Sequence, residues 1–415
     1  PGSPAESNCV PGRVALVYDD AYMAYRHSEW HPLQPRRVKL AVELIRSTGL
    51  AEFADLLPPR HATDAELALV HAPDYIDLVR RLGHDDSLSR ADKFHAAAAG
   101  FAREDNPPFE LMHEASALIA GGSLVAAEGV HQGSLAHAFN PGGGWHHAMR
   151  EMASGFCVYN DVAVVAAWLR ERGHRVAVVD VDVHHGDGTQ ASFYSDPNVL
   201  TISLHQLSRG FFPGTGHPDE VGAGDGAGTS ANLPYPPFTW DEPWLRGFDE
   251  VVPTLLRRFQ PTVLVTQCGC DTHLLDPLAS LRCSTRIWPH VGRRVHDVAH
   301  ETCEGRGVAR GGGGYADAVG ARAWALRPFT LRHRRVHADG RPWALLAPGC
   351  GKTRRAYGWV YRTTNFMTQR AVLFDFCASR SGEHPRRVLT DFGATLVTDD
   401  YSGYHALHAR GVTAA

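Results

Sequence analysis

Arg175-Val-Ala-Val-Val-Asp-Val-Asp-Val-His-His-Gly-Asp-Gly188 is an apolar run that ends in a dense cluster of acids and imidazoles. Read as a strand, its period-two alternation puts Asp180, Asp182 and His184 on one face and Val181 and Val183 on the other. Two carboxylates and an imidazole converging at the end of a buried strand are costly unless they hold a cation or do chemistry. The stretch therefore predicts both a buried strand and a metal site at its C-terminal end.

The segments around it repeat the pattern. Residues 14–18, 135–139, 199–203 and 262–267 read as further strands. Residues 36–47, 65–83, 110–128, 162–172, 243–259 and 291–304 read as helices, with apolar stripes and stops such as Gly49. The prolines of Asp105-Asn-Pro-Pro108 mark a loop. Strands alternating with helices predict an α/β fold, a single parallel sheet flanked by helices on both faces. Such sheets take their ligands outside the carboxyl ends of the strands, which is where the polar clusters fall.

Composition fits a large globular domain with room for something appended: 415 residues, 44% hydrophobic and 21% charged. No apolar run approaches the roughly 18 residues of a membrane span, and Pro1-Gly-Ser-Pro-Ala-Glu6 does not read as a signal peptide. A cytoplasmic protein with no membrane partner is expected. The absence of an initiator Met suggests a processed start or a fragment boundary, and residues 1–11 are expected to be disordered. Eight cysteines without a Cys-x-x-Cys pair suit a reducing compartment, with Cys268 and Cys270 as small buried fillers. Charge is uneven. Residues 331–415 carry 13 Lys and Arg against 6 Asp and Glu, net +7, which leaves −11 for the rest of a chain of net −4. Two pieces of different origin are expected to meet near residue 330.

A catalytic zinc needs about three protein ligands and an open position. Asp182 and His184 supply two from one strand end, and Asp271, after the strand at 262–267, can supply the third. The set is oxygen-rich, so spacing alone also permits iron or manganese. His146 and His147 follow three glycines and can approach the same point, each needing a carboxylate to fix its tautomer. Asp180 and Asp187 remain in the cluster for that purpose. Tyr315 follows four glycines, which lets its hydroxyl be aimed into a pocket.

Six segments together resemble the histone deacetylase superfamily, in that family's order, over about residues 12–328. They are Asn140-Pro-Gly-Gly-Gly-Trp-His-His147, Gly155-Phe-Cys-Val-Tyr-Asn-Asp161, Asp180-Val-Asp-Val-His-His-Gly-Asp-Gly188, Phe211-Phe-Pro-Gly-Thr-Gly216, Gln267-Cys-Gly-Cys-Asp271 and Gly311-Gly-Gly-Gly-Tyr315. His31-Pro-Leu-Gln-Pro-Arg-Arg37 and Asp105-Asn-Pro-Pro108 resemble the bacterial acetoin-utilisation-type branch. The resemblance implies an arginase/deacetylase-like fold and a zinc-dependent hydrolase that removes acetyl groups from lysine-like amines. Asp182, His184 and Asp271 then match the ligands of one catalytic Zn2+. His147, backed by Asp187, matches the general base, and His146, paired with Asp180, its electrostatic partner. Tyr315 matches the hydroxyl that polarises the acyl carbonyl. Gly155, Phe156 and Phe212 match the walls of a narrow channel, Leu278 a third apolar contact, and Asp105 a rim carboxylate that holds the substrate backbone. A structural K+ is implied near Asp180, Asp182, His184, Ser203 and Leu204. The implied partner is an acetylated protein lysine or a small acetylated amine.

Beyond residue 328 the pattern changes. His337-Ala-Asp339, Leu346-Ala-Pro-Gly-Cys-Gly-Lys-Thr-Arg-Arg-Ala-Tyr357, Ser379-Arg-Ser-Gly-Glu-His-Pro-Arg386 and Leu396-Val-Thr-Asp-Asp-Tyr-Ser-Gly-Tyr404 resemble insertion-sequence transposases of the IS-sixty-six type. Asp339 and Asp399 match two of that family's three catalytic carboxylates; the chain reaches Ala415 before a third, so residues 329–415 are expected to be a non-catalytic fragment. Gly349-Cys-Gly-Lys-Thr353 lacks the first glycine of a phosphate-binding loop, whose place falls at Leu346. The basic runs at 332–335 and 386–387 read as a solvated face, and no nucleic-acid partner is expected. Two alternatives follow from the junction: a catalytically impaired deacetylase–transposase fusion, and a DNA-binding protein derived from the transposase.

Overall fold

The computed structural model describes residues 13–84, 89–101, 105–325, 335–346, 353–363, 372–377, 381, 383, 395–398 and 413–414. The chain divides into two compact units, Pro1–Leu44 with Ala54–Leu326 and Ile45–Phe53 with Arg327–Ala415.

In the first unit, eight strands make one sheet: β1 (Val14–Val17), β2 (Asp55–Leu57), β3 (His137–Asn140), β4 (Val176–Asp180), β5 (Val199–Gln206), β6 (Ser230–Tyr235), β7 (Val263–Gln267) and β8 (Gly307–Arg310). Their order is β2-β1-β3-β8-β7-β4-β5-β6, and every pairing is parallel. All residues of β4, β5 and β7 are buried. Strands buried along their whole length need cover on both faces of the sheet. Helices Met112–His131 and Asp161–Glu171 pack together on the sheet, as do Asp241–Phe259 and Ile287–Thr302. The parallel α/β architecture expected from the sequence is the one observed.

The main departures lie at element ends. β4 stops at Asp180, so Asp182 and His184 stand in the turn that follows, although Val181 and Val183 remain buried as expected. The helix expected over 65–83 is two helices, Asp64–Leu67 and Pro73–His84, because Thr63 and Glu66 close a capping box and Pro73 starts afresh. β2, β6 and β8 were not expected. β2 is three residues long and half-buried, β6 is half-buried beyond Ser230, and β8 is Gly307-Val-Ala-Arg310, so none presents a long apolar run.

The second unit holds β9 (Arg335–Leu346), β10 (Thr353–Thr363), β11 (Val372–Cys377), β12 (Thr395–Thr398) and β13 (Thr413–Ala414) in the order β11-β10-β9-β12-β13. β9 pairs antiparallel with β10 and parallel with β12, and Asp339 lies opposite Val360. The segment 1–11, Asp399, the run at 386–387 and all but Thr353 of the loop 349–353 lie outside the described residues.

Candidate active site

Each chemical group hangs from the C-terminal end of a strand. β3 leads into the glycines before His146 and His147, β4 into Asp182 and His184, β7 into Asp271, and β8 into the glycines before Tyr315. These four strands are neighbours in the order β3-β8-β7-β4, so the parallel topology gathers their ends at one place.

Asp182, His184 and Asp271 are buried, and one ligand atom from each lies within 4.8 Å of the other two. His184 Nδ1 is 3.1 Å from both Asp182 Oδ1 and Asp271 Oδ2. Asp182 Oδ2 accepts from the Gln267 side chain and the Gly313 backbone, each at 2.7 Å, and Asp271 Oδ1 accepts the Val183 N–H at 2.8 Å. Burial drives Asp271 up to about 7, and Asp182 beside it adds to the rise. Burial alone would lower His184, but the two carboxylates outweigh it and raise the imidazole to about 10. The cluster thus gathers positive charge: a proton on His184 offsets part of an excess that a divalent cation would offset more fully. Two carboxylate oxygens and one imidazole nitrogen converging on one point fit such an ion, and their mixed donor set is one zinc accepts.

Beside this centre, His146 and His147 lie with ring centroids 4.0 Å apart. His146 Nδ1 is 2.6 Å from Asp180 Oδ2, and His147 Nδ1 is 2.7 Å from Asp187 Oδ1. Both imidazoles are buried, yet they are driven in opposite directions. Burial opposes the charge on His146, but Asp180, Asp182 and Asp187 prevail and raise it to about 9. For His147, burial and the neighbouring His146 prevail over Asp187 and lower it to about 4. One ring carries a proton at neutral pH; the other has a free nitrogen.

Aromatic walls enclose the centre. The Phe212 ring lies 4.9 Å from that of His147, and Phe211 stacks on His184 at 5.1 Å. Phe156 lies 5.6 Å from Tyr315 and 4.5 Å from His31, whose Nε2 reaches the Asp105 carbonyl at 3.2 Å. Asp105 is exposed. Gly155 sits between His147 and Phe212. Leu278 is half-buried and joined to the Tyr315 loop through Asp276, which accepts the Leu278 N–H at 3.0 Å and the Tyr315 N–H at 2.7 Å. Ser203 is the strand partner of Asp180, with Leu204 next along β5.

Several residues that shape the site were not singled out in the sequence. Arg37 is 3% exposed and donates to the carbonyls of Gly312 and Gly314 at 2.6 and 3.0 Å. Asp161 accepts the N–H groups of Gly144 and Trp145 at 2.9 and 2.8 Å and fixes the loop that carries the two histidines. Gln267 and Asp276 hold the metal-side carboxylate and the tyrosine loop. The only signal for Asp161, Gln267 and Arg37 was their place inside quoted motifs; for Asp276 there was none.

A parallel α/β sheet whose strand ends carry paired His–Asp couples beside an Asp–His–Asp donor set defines a class of α/β protein with a candidate metal centre at the carboxyl ends of its strands. Comparison with known families identifies the chain as a member of the histone deacetylase domain family, whose model matches residues 31–327. The acetoin utilization protein AcuC of Bacillus subtilis (strain 168) is 40% identical over 312 residues, which cover 75% of this chain and 80% of that protein. Its namesakes in Staphylococcus xylosus and Staphylococcus aureus (strain MSSA476) are each 38% identical with the same coverage. The Transposase IS66 family model matches residues 315–415 and so overlaps the first match from Tyr315 onward. No helix among the described residues is long and apolar enough to cross a membrane.

Proposed function

We propose that this chain is a zinc-dependent deacetylase that hydrolyses the amide between an acetyl group and a lysine-like amine. The observation that carries the reading is the pair of buried His–Asp couples beside the three metal donors. Asp182, His184 and Asp271 would hold the zinc, which when bound supplies Lewis-acid activation of water and of the acyl carbonyl.

The chain's own groups do the rest. His147 takes a proton from the attacking water on its free nitrogen while Asp187 keeps the other proton on Nδ1. The water oxygen bonds to the carbonyl carbon, the C–N bond breaks, and His147 returns the proton to the departing amine, leaving a free amine and acetic acid, which releases its remaining proton to the amine or to solvent to become acetate. His146, kept cationic by Asp180, stabilises the negative charge that develops, and Tyr315 donates its hydroxyl to the carbonyl oxygen. Burial holds that phenol well above its ordinary pKa, so it stays a donor. Phe156, Phe212 and the bare backbone of Gly155 would line a slot for a methylene stem, with Leu278 beside it and Asp105 accepting a substrate backbone N–H at the rim. Asp180, Asp182, His184, Ser203 and Leu204 would surround a structural K+. Acetylated protein lysines and small acetylated amines both suit such a slot.

Residues 12–328 would form the catalytic domain, and 329–415 a transposase-derived fragment that adds no catalytic group. The overlap of the two family matches at 315–327 favours a gene read through into an insertion element. Genomic sequence decides this: no transposase sequence flanking the junction would reject it. The catalytic proposal is tested with the full chain on an acetyl-lysine peptide. Zinc-dependent hydrolysis is expected, with His147→Ala and Tyr315→Phe lowering turnover by ~10²-fold or more while zinc stays bound. Near-wild-type turnover in either variant would overturn the role assignment, and a zinc-loaded, folded but inactive wild type would favour an impaired fusion.

A further inference from the structure

The opposite end of the same sheet carries a second convergence of metal-ligating side chains. His137 is the first residue of β3, and His296 and His300 lie in the C-terminal half of helix Ile287–Thr302. Positions four apart share one helix face, so the two helical imidazoles point the same way. Ring nitrogens from all three lie within 4.8 Å of one another. The ring centroids are 4.8 Å apart for His137 and His296, 5.3 Å for His137 and His300, and 4.5 Å for His296 and His300. None of the three is among the buried residues.

The backbone leaves room for them. After the helix the chain reverses through Glu304 and Gly305, both at positive φ (55° and 79°), and enters β8 at Gly307, the strand partner of His137. A Cβ at 305 would lie 2.6 Å from His300 Cε1, and one at 307 would lie 3.2 Å from His137 Nδ1. Any residue but glycine at 305 would push against the His300 imidazole.

We propose that His137, His296 and His300 form a second metal site, for a borderline divalent transition ion of which Zn2+ is the representative. Three imidazoles with no carboxylate suit Zn2+, Ni2+, Co2+ or Cu2+ and not the oxygen-seeking Mg2+ or Ca2+. Three protein ligands leave a further coordination position for water or another donor. The site lies at the N-terminal ends of the strands, whereas the Asp182–His184–Asp271 centre lies at their C-terminal ends. A metal here would pin the end of the helix to the start of β3 without entering the acyl-binding slot.

The test is a zinc count on the full chain, stripped with chelator, reloaded with zinc sulfate, desalted and assayed by mass spectrometry. Two equivalents are expected for wild type and one for His296→Ala/His300→Ala, with hydrolysis of the acetyl-lysine peptide unchanged. Asp182→Asn/Asp271→Asn should keep the equivalent that the histidine variant loses, so failure of the catalytic centre and failure of this site are read separately. Melting of the zinc-free proteins checks folding. If the double variant does not fold, His300→Ala alone should weaken the second equivalent by at least the roughly tenfold to hundredfold that loss of a supporting partner costs a metal site. Equal zinc content and affinity in wild type and folded histidine variants would overturn the proposal.

Discussion

Arg36 and Arg37 are adjacent in the chain, and the structure gives them opposite weights. Arg36 has a side chain 70% exposed and pairs with Asp317 at 2.6 Å. Such a pair contributes about 0–1 kcal/mol. Arg37 is buried, and its Nη1 donates to the carbonyls of Gly312 and Gly314 in the loop that delivers Tyr315. Its guanidinium also lies 5.9 Å from the Tyr315 ring centroid and 5.4 Å from that of Trp324. Arg37→Met keeps most of the apolar stem and removes the donors. Two buried acceptors left unpaired cost about 1–3 kcal/mol each, so about 2–6 kcal/mol in all. Thermal melting should fall on the order of 10 °C. The freed loop misplaces Tyr315, and an error near 1 Å at a reacting group costs about 10²-fold, so kcat should fall by that much with KM little changed. Arg37→Lys keeps a charge but not the planar fork and should fall in between. Arg36→Met is the control and should leave melting within a few degrees and kcat unaltered. An Arg37→Met protein with wild-type melting and kcat, or one no worse than Arg36→Met, would refute the reasoning.

Gly155 stands at φ +51°, where an added Cβ would lie 2.7 Å from His147 Cγ and 2.9 Å from Phe212 Cε1. Gly155→Ala should displace the imidazole and lower kcat by about 10²-fold with zinc content unchanged; full activity in a peptide assay would sink the close-approach argument. His71 is fully buried, with Nδ1 bonded to the Met149 carbonyl at 3.0 Å and Nε2 accepting the Asn160 N–H at 2.9 Å, and burial lowers it to about 4. The unfolded chain binds this proton near pH 6.5 and the folded chain does not until near 4. The stabilisation is therefore fully present above pH 6.5 and is lost as pH falls towards 4, about 3 kcal/mol in total at ~1.4 kcal/mol per unit. Urea unfolding of His71→Gln across that window should show a shallower pH slope than wild type, and an identical slope would remove His71 from the account.

The sheet was legible where a buried strand is also a long apolar run, and not at Gly307–Arg310, which is buried beyond its first residue but only four residues long and ends in a charged side chain. Val176–Asp180 and Val263–Gln267 announce themselves as apolar runs ending in polar clusters, and their C-terminal polar residues do meet. The edge strand Asp55–Leu57 and the half-buried Ser230–Tyr235 carry no such run, because a strand covered on one side or at the margin needs less apolar surface. At the site, the ionisable residues were legible because so many charges on one strand end have few structural uses. Their supports were not. Asp276 reads as an ordinary loop acid until the fold brings its carboxylate against the Tyr315 backbone, 39 residues away in sequence. The His137–His296–His300 group was equally silent, since its members come from a strand start and a helix end 159 residues apart that only the parallel crossover joins.

His146 and His147 show how far a role lies from a residue's own partner. Each has one carboxylate on Nδ1 at nearly equal distance, 2.6 and 2.7 Å, so that partner cannot be what separates them. The difference is what stands beyond. His146 Nε2 is 3.8 Å from Asp182, a second carboxylate, whereas His147 faces the Phe212 ring and the cationic His146 itself. The first imidazole is thereby held charged, and the second is held neutral chiefly by its burial, with the charge on the first adding to it. On the proposed reading, the base is available because burial first, and then its charged neighbour, keep it unprotonated. Adjacency adds to burial: separating the rings would remove the second of the two influences that keep His147 unprotonated and leave its burial to act alone.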